Sequence, residues 1–279
     1  MSTSTLPDTP SAAPPAPPAA LKDDSRIGPR AHLRHISALI RRNLLWIRQN
    51  PESILDAVLM PIIFALLFVF VFGGAIAGDR DTYVDYVIPG LMAMMGLSVA
   101  MGVGTGFSED IHSGVMDRFR TLPIARSSVL IAKIVVELGR MLVAVAILLC
   151  VGFALGLSVD NVPGLFAAVG LAAVFGSSLM WVFLALGVTL PNAQSVQQMG
   201  MLVMIPLQFG SSIFVPTSTM PGWLQSFADY NPLSALADSA RALMNGGPLT
   251  HHLVVVLVWS AAITLIMAPM SLRKFRPGK

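Results

Sequence analysis

Long apolar runs separated by short polar connections occupy most of the chain beyond residue 50. A hydrocarbon core about 30 Å thick is crossed by roughly 20 apolar residues in helical conformation. Six segments have this character, namely residues 57–77, 86–107, 135–157, 165–190, 196–215 and 253–270. The pattern predicts an all-α polytopic membrane protein with six spans in a transmembrane domain at residues 51–275.

Apolar spacing also predicts helices that lie along the membrane rather than across it. In residues 29–50 apolar side chains share one side of a helix, and Arg34, Arg41 and Arg48 recur every seven residues along its flank. Such a basic amphipathic helix suits the cytoplasmic headgroup layer. It either only anchors the chain or also contacts a cytoplasmic subunit, and the residues leave both open.

The connection before the sixth predicted span has helical spacing as well. Asn231-Pro232 is a start signal and Gly246-Gly247 is a stop signal. Three amphipathic aromatic side chains suit the headgroup level, namely Trp223, Phe227 and Tyr230. We expect external re-entrant or interfacial helices here, which either gate a path or only brace the protein.

Composition and charge place and orient the chain. Only 12% of the residues are charged, against about 25% in soluble domains, and 54% are hydrophobic, which indicates an integral membrane protein. Sixteen of the 18 Lys and Arg residues precede the first predicted span, follow the last one, or lie between the second span and the first turns of the third, where Arg140 is counted; Arg80 and Arg241 are the exceptions. The positive-inside rule then predicts that both termini are cytoplasmic. Residues 1–28, rich in Pro and Ala, predict a disordered cytoplasmic tail rather than a signal peptide.

A dense polar insert, Gly106–Leu130, separates the second and third predicted spans. Four apolar residues within it are spaced four, four and three apart, namely Ile111, Val115, Phe119 and Leu122. They predict a short helix with Gly114 at its middle, which costs about 1 kcal/mol relative to Ala, and Pro123 at its end. The insert is either a helix that presents charges to a soluble partner or a solvated loop whose arginines only enforce topology.

Three blocks of sequence resemble the ABC-2 type exporter permeases, and among them the daunorubicin-resistance-like drug-export branch. The cytoplasmic loop is matched by Glu109, Gly114, Arg118, Pro123, Arg126 and Lys133. Asn50–Ile76 is similar to the first span of that branch, and Met220–Leu243 to its external segment. The blocks occur in the same order, and the resemblance covers residues 30–275.

The resemblance implies a membrane subunit that is not itself an enzyme. It implies two copies of an ABC ATP-binding subunit that carry ATP and Mg, no cofactor on this chain, and a second permease chain, identical or sibling. The polar insert would be the coupling helix seated on the ATP-binding subunit, with the basic helix beside it. The implied coupling residues are Glu109, Asp110, His112, Gly114, Asp117, Arg118, Phe119, Arg120, Arg34 and Arg41.

Several kinds of chemistry find no support in the residues. No G-x-x-x-x-G-K-[ST] string is present to hold nucleotide phosphates. The five histidines lie outside the predicted spans and form no metal-ligand pattern, and no nucleic-acid partner is expected. The central spans carry no acid or base, because Glu137 and Arg140 lie at one end of the third span and are expected to pair. This argues against ion-coupled transport and favours an external energy source.

Soft and weakly polar residues in the spans are candidates for a transport path: Met95, Ser98, Gln197, Met201, Met204 and Gln208. Gln197 and Gln208 are eleven residues apart, so they share one side of a helix. Methionine adapts to varied apolar shapes, and a glutamine at membrane depth needs a partner. These residues either line a route for an amphiphile or join helices through polar contacts.

The function expected from these observations is the permease subunit of an ATP-driven exporter in the bacterial inner membrane. Its substrate would be a hydrophobic or amphiphilic compound, either a drug or a lipid. Export of a polysaccharide or glycolipid is the alternative. A membrane-embedded enzyme would need a catalytic cluster that the sequence lacks, and a non-transporting anchor would not need glutamines within its spans.

Overall fold

The computed structural model describes residues 59, 62–76, 80–114 and 126–274 of the chain. Regular structure in these ranges is helical, and no β-strand occurs in them. Three predicted features lie outside the described residues: the tail at 1–28, the basic helix at 29–50 with Arg34 and Arg41, and the segment with Asp117, Arg118, Phe119 and Arg120.

The described helices are numbered in chain order. They are α1 (Ile62–Phe72, continued by Gly73–Ile76), α2 (Arg80–His112), α3 (Arg126–Ala154), α4 (Val162–Thr189), α5 (Ala193–Phe209), α6 (Gly222–Tyr230), α7 (Pro232–Asn245) and α8 (Thr250–Lys274). α7 begins at Pro232 and is followed by Gly246 at φ 85°, as the start and stop signals predict.

Four of these helices are long and apolar enough to cross a membrane. The spans are Thr82–His112, Val129–Ala154, Val162–Thr189 and Thr250–Lys274, with mean hydropathies between 1.8 and 2.5. Large apolar side chains on their outer faces are exposed, for example Phe153, Phe166 and Leu265. Because such a surface suits lipid and not water, the chain is an integral membrane protein.

The first and fifth predicted spans correspond to shorter helices. α1 occupies Ile62–Phe72 within predicted span 57–77, and Phe68–Phe72 forms a π-helical turn. α5 has 17 residues, which makes it about 26 Å long at 1.5 Å per residue. The predicted span 196–215 extends past its end, because the chain turns at Gly210 although the residues that follow carry no charge.

The other helices extend beyond the hydropathy limits. α2 begins at Arg80 instead of residue 86, and α3 begins at Arg126 instead of residue 135. Charged first turns lower the hydropathy without ending the helix, so hydropathy marks where lipid contact begins and not where the helix begins. At their starts, these helices are therefore longer than the apolar segments they contain.

Gly114 ends a helix instead of lying within one. α2 continues without a break through Glu109, Asp110 and His112, and Gly114 then adopts φ +75° in a turn. This left-handed conformation is the usual way for a helix to end at glycine. The three residues Glu109, Asp110 and His112 therefore belong to α2 and not to a separate short helix, and the interpretation of Gly114 as a mid-helix residue is wrong.

Glycines bring α2 and α4 into backbone contact. A Cβ atom on Gly104 would lie 2.6 Å from the Phe183 carbonyl oxygen, and one on Gly187 would lie 2.6 Å from the Gly104 carbonyl oxygen. Further along, a Cβ atom on Gly96 would lie 3.4 Å from the Gly176 Cα atom. Small residues permit this close approach, which supplies dispersion contacts where water is absent. α2 and α4 are thus the tightly packed centre of the fold.

The bundle has two distinct ends, and each is named after one of its residues. The Arg241 end contains the start of α2, the α3–α4 turn and α7, since the Ser158 amide donates to Asp85 and the Asn161 amide donates to the Met244 carbonyl. The Asp110 end contains the end of α2, the start of α3 and the end of α8.

Candidate functional site

Arg241 on α7 connects three parts of the chain at the Arg241 end. Its Nη1 atom donates to Asp238 Oδ1 at 2.6 Å, and its Nε atom donates to the Tyr86 carbonyl oxygen at 2.9 Å. Its Nη2 atom donates to the carbonyl oxygens of Ser212 at 2.9 Å and Ile213 at 3.2 Å. The guanidinium carbon lies 3.6 Å from the centroid of the Tyr86 ring. A planar guanidinium suits this multiple contact, because its donors are fixed in a fork.

The turn that follows α5 is buried and non-helical from Gly210 to Phe214. Side chains of α2 and α7 supply partners for its backbone: Tyr83 Oη donates to the Phe214 carbonyl at 3.1 Å, and Tyr86 Oη to the Ser212 carbonyl at 2.6 Å. The Ser212 amide donates to Ser234 Oγ at 3.0 Å. Irregular backbone at membrane depth is tolerated where the protein satisfies it in this way.

α2 accommodates this turn through its own backbone. Pro89 lies inside α2 and has no N–H to offer the Asp85 carbonyl, so the helical ladder is interrupted there. One residue later, Gly90 lets the Ile213 carbonyl approach to a position that a Cβ atom would occupy. The Pro-Gly pair thus opens one face of α2 to the turn, and aromatic stacking of Phe68 on Phe214 at 4.3 Å attaches α1 to the same turn.

Asn231 joins three helices through one buried side chain. Its Oδ1 atom accepts from the Leu233 amide at 2.9 Å, which caps the start of α7. Its Nδ2 atom donates to the carbonyl oxygens of Leu207 at 2.7 Å and Gly210 at 3.0 Å, which lack helical partners at the end of α5. The Asn231-Pro232 pair predicts the start of α7 but does not indicate the second role of Asn231. No local signal could reveal it, because the contact joins residues more than 20 positions apart.

The Asp110 end brings four of the predicted coupling residues together. Lys133 Nζ on α3 donates to Asp110 Oδ2 at 2.8 Å, and His112 Nδ1 lies 2.7 Å from the Ser108 carbonyl oxygen. Glu109 is exposed beside them, and Gly114 follows in the turn. The expected pair of Glu137 and Arg140 is present on α3, at 2.9 Å. At this end Glu109 is therefore an exposed acid, and the residue after it, Asp110, is held by its ion pair with Lys133 on α3.

The path candidates on α2 and α5 have different environments. Met95 and Ser98 are partly buried, and Ser98 Oγ donates to the Met94 carbonyl at 3.3 Å. On α5, three candidates follow the helix from its exposed start to its middle: Gln197 and Met201 are exposed, and Met204 is partly buried. The exposure of the candidates therefore differs along the two helices.

Gln208 differs from Gln197 although both lie on one continuous helix. Gln208 is only 5% exposed, and its Nε2 atom has no hydrogen-bond partner within the described residues. The difference arises because Gln208 adjoins the buried turn, whereas Gln197 lies near the open start of α5. The eleven-residue spacing therefore does not give the two amides a common environment.

A family model described as ABC-2 type transporter matches residues 34–245, well over half of the chain. The chain belongs to the ABC-2 type transporter family. Members of this family are transport components that work with ABC ATP-binding subunits. The resemblance inferred from three sequence blocks is thereby confirmed.

Several relatives of this ABC-2 family member carry names that refer to drug resistance. The daunorubicin resistance ABC transporter permease protein DrrB1 of Streptomyces coeruleorubidus is 37% identical over 84% of this chain and 83% of its own length. The probable doxorubicin resistance ABC transporter permease protein DrrC of Mycobacterium tuberculosis is 26% identical over 85% of this chain and 87% of its own. A putative transport permease, ycf38, of Porphyra purpurea is 25% identical over 75% and 73%.

Proposed function

We propose that this chain is the permease subunit of an ATP-driven exporter that moves a hydrophobic or amphiphilic compound, a drug or a lipid, from the cytoplasm or inner leaflet. The observation that carries the proposal is the 37% identity, over 84% of the chain, with a permease named for daunorubicin resistance. Relatives with such names favour this class of substrate over a polysaccharide or glycolipid.

The proposed topology has six crossings in a bacterial cell membrane, with both termini cytoplasmic. α1 and α5 join the four longer helices as the first and fifth crossings. The Asp110 end is then cytoplasmic and the Arg241 end is external, with α6 and α7 as external helices. One observation supports this orientation: Lys133, Arg273 and Lys274 lie towards the Asp110 end. Arg241 at the other end does not count against it, because its charge is bound within the protein.

Coupling to ATP hydrolysis would act through α2. The helix has 33 residues, which corresponds to a length of about 50 Å at 1.5 Å per residue. Its Asp110 end carries the exposed Glu109, and its other end contacts the turn held by Arg241. A force applied by the ATP-binding subunit near Glu109 would therefore reach the external turn along a single helix.

The partners in this proposal are two ABC ATP-binding subunits that hold ATP and Mg, and a second permease chain. The path would lie against α2 and α5, where Gln197 and Met201 are exposed and Met95 and Ser98 are partly buried. A second permease chain, identical or sibling, would enclose the compound against this surface. Met204 and Gln208 would line its inner edge.

A charge reversal at the Asp110 end tests the proposal. Glu109→Lys should weaken binding of the co-expressed ATP-binding subunit at least tenfold, because it replaces an exposed acid at the expected contact by a base. The matched control is Asp160→Lys, which changes an exposed acid in the α3–α4 turn at the opposite end. Affinity is measured by titrating the labelled ATP-binding subunit onto permease in nanodiscs. Equal binding by both variants would contradict the assignment of the cytoplasmic contact.

A second substitution tests the path. Gln208→Leu should change the ratio of transport rates for two amphiphiles by about fivefold, the effect of one hydrogen bond near 1 kcal/mol. Its thermal stability should not fall, because the leucine removes an amide donor that lacks a partner among the described residues. Gln198→Leu, at an exposed position of the same helix, is the control. Identical transport of every compound tested would exclude Gln208 from the path.

A further inference from the structure

Asp110 and Lys133 form an ion pair that joins two helices at the Asp110 end. Lys133 Nζ lies 2.8 Å from Asp110 Oδ2, and the two side chains are partly buried, with 19% of the lysine and 31% of the aspartate exposed. The ion pair of Glu137 and Arg140, by contrast, lies within α3 alone. The Asp110–Lys133 pair therefore ties the end of α2 to the start of α3.

Gly106 makes room for the lysine side chain across α2. A Cβ atom on Gly106 would lie 3.3 Å from Lys133 Nζ and 4.0 Å from its Cε atom. Gly106 and Asp110 are four residues apart, so they share one face of α2. A lysine near a membrane boundary ordinarily extends its ammonium group into water, whereas this one lies over the backbone of the neighbouring helix. A glycine and an aspartate on α2 together accommodate it.

The two adjacent acids at the end of α2 have different surroundings. Successive side chains on a helix point about 100° apart, and Glu109 is exposed whereas Asp110 is paired with α3. The pair lies two residues before the end of α2 at His112, where helices ordinarily fray. It therefore restrains the last turn of α2, which carries Glu109.

We propose that Asp110 and Lys133 are positioning residues, which join α2 to α3 so that a force applied at Glu109 displaces both helices. Asp110 then acts through Lys133 and does not touch the ATP-binding subunit, although the family resemblance implies that it is a coupling residue. The proposal rests on the proposed function, in which that subunit contacts Glu109. Without the pair the end of α2 yields alone, so the subunit still binds but its ATP hydrolysis responds less to the permease.

Hydrogen–deuterium exchange of the full chain in nanodiscs tests the tie without any partner. Lys133→Met removes the charge and keeps most of the side-chain volume. Amide exchange in residues 107–113 should become about fivefold faster, equivalent to about 1 kcal/mol, the upper range for a partly exposed ion pair. Glu137→Gln is the control, because it breaks an ion pair of similar length that does not join two helices. Exchange that stays at the parent rate in Lys133→Met overturns the proposal.

Stimulation of ATP hydrolysis by the permease tests the coupling role. In Lys133→Met and in Asp110→Asn, maximal stimulation of the co-expressed ATP-binding subunit should fall about fivefold, by the same loss of one ion pair. The affinity for that subunit should stay within about twofold of the parent, unlike that of Glu109→Lys, because an exposed contact is untouched. The double variant should lose no more than either single one, since both remove the same pair. Lys133→Arg keeps the charge and should retain most of the stimulation.

Each contrary result has its own meaning. A loss of affinity in Asp110→Asn as large as in Glu109→Lys would make Asp110 a direct contact with the ATP-binding subunit. Full stimulation by Lys133→Met, despite faster exchange, would leave the pair without a role in coupling. Additive losses in the double variant would mean that the two residues act separately. A parent permease that does not bind the subunit would contradict the proposed function itself, whereas the other three results contradict this proposal alone.

Discussion

Gly104→Ala should destabilise the permease by about 1–3 kcal/mol, the usual cost of forcing extra atoms into a packed contact. The added methyl group would lie 2.6 Å from the Phe183 carbonyl oxygen and 2.9 Å from its Cβ atom. The backbone of α4 cannot rotate away as a flexible side chain could, so α2 and α4 must separate. Thermal unfolding of the detergent-solubilised protein, followed by size-exclusion chromatography, measures the effect.

Gly102→Ala is the matched control, because it adds the same methyl group two residues away. A Cβ atom at Gly102 meets nothing within 4 Å, and alanine favours a helix over glycine by up to about 1 kcal/mol. The control should therefore be neutral or more stable than the parent. A loss of stability that is equal in the two variants would mean that the α2–α4 contact at Gly104 does not determine the result, because helix propensity alone would stabilise both variants.

A double substitution sharpens the test. A Cβ atom on Gly187 would meet the carbonyl oxygen of Gly104 itself, so both substitutions open the same contact. Once the first has separated the helices, the second should cost less, and the double variant should lose less stability than the two single losses combined. Strict additivity would place the two glycines in independent contacts.

Hydropathy revealed most of the fold but not where its helices end. Four predicted spans overlap helices that meet the length and hydropathy criteria. Their ends were misplaced because Arg80 and Arg126 begin helices within polar stretches of sequence, where hydropathy is low and helical geometry continues. At Phe209 the opposite happens, because the helix ends there although the predicted span continues to residue 215. The turn at 210–214 carries no charge and is buried in protein, and hydropathy does not distinguish that burial from burial in lipid.

Spacing along the sequence was an incomplete guide to the candidate sites. The four-four-three spacing correctly indicates helix at Ile111, but the same spacing fits a separate short helix and the end of a long one equally well. Gln197 and Gln208 share an angular position on α5, yet only Gln208 is enclosed, since the buried turn after Phe209 covers that end of the helix alone. The length of the helix at Ile111 and the burial of Gln208 both depend on tertiary contacts, which the spacing of residues along the sequence does not reveal.

Arg241 shows what an exception to a sequence rule can signal. It is one of only two Lys or Arg residues outside the predicted cytoplasmic segments, and the charge rule alone treats it as an outlier. The structure accounts for it, because its donors go to Asp238 and to backbone carbonyls of α2 and of the turn after α5. The charge is bound inside the protein at the Arg241 end and does not report on topology.

Arg241→Met should destabilise the protein by about 2–4 kcal/mol, because buried acceptors lose their donors while a carboxylate loses its cation. The affected acceptors are the carbonyl oxygens of Tyr86, Ser212 and Ile213, and the carboxylate is Asp238. Methionine keeps much of the side-chain volume, so lost packing contributes little. Thermal unfolding measures the global effect, and hydrogen–deuterium exchange of residues 210–216 measures the local one.

Arg241→Lys separates the charge from the shape of the side chain. Lysine retains the ion pair with Asp238 but cannot reach carbonyls of α2 and of the turn at the same time, because an ammonium group lacks the planar fork. We expect it to recover less than half of the stability lost in Arg241→Met, with exchange in 210–216 still fast and exchange in α3 unchanged. Full recovery by lysine would show that charge alone suffices, and the role assigned to the guanidinium in fixing the turn against α2 would then be wrong.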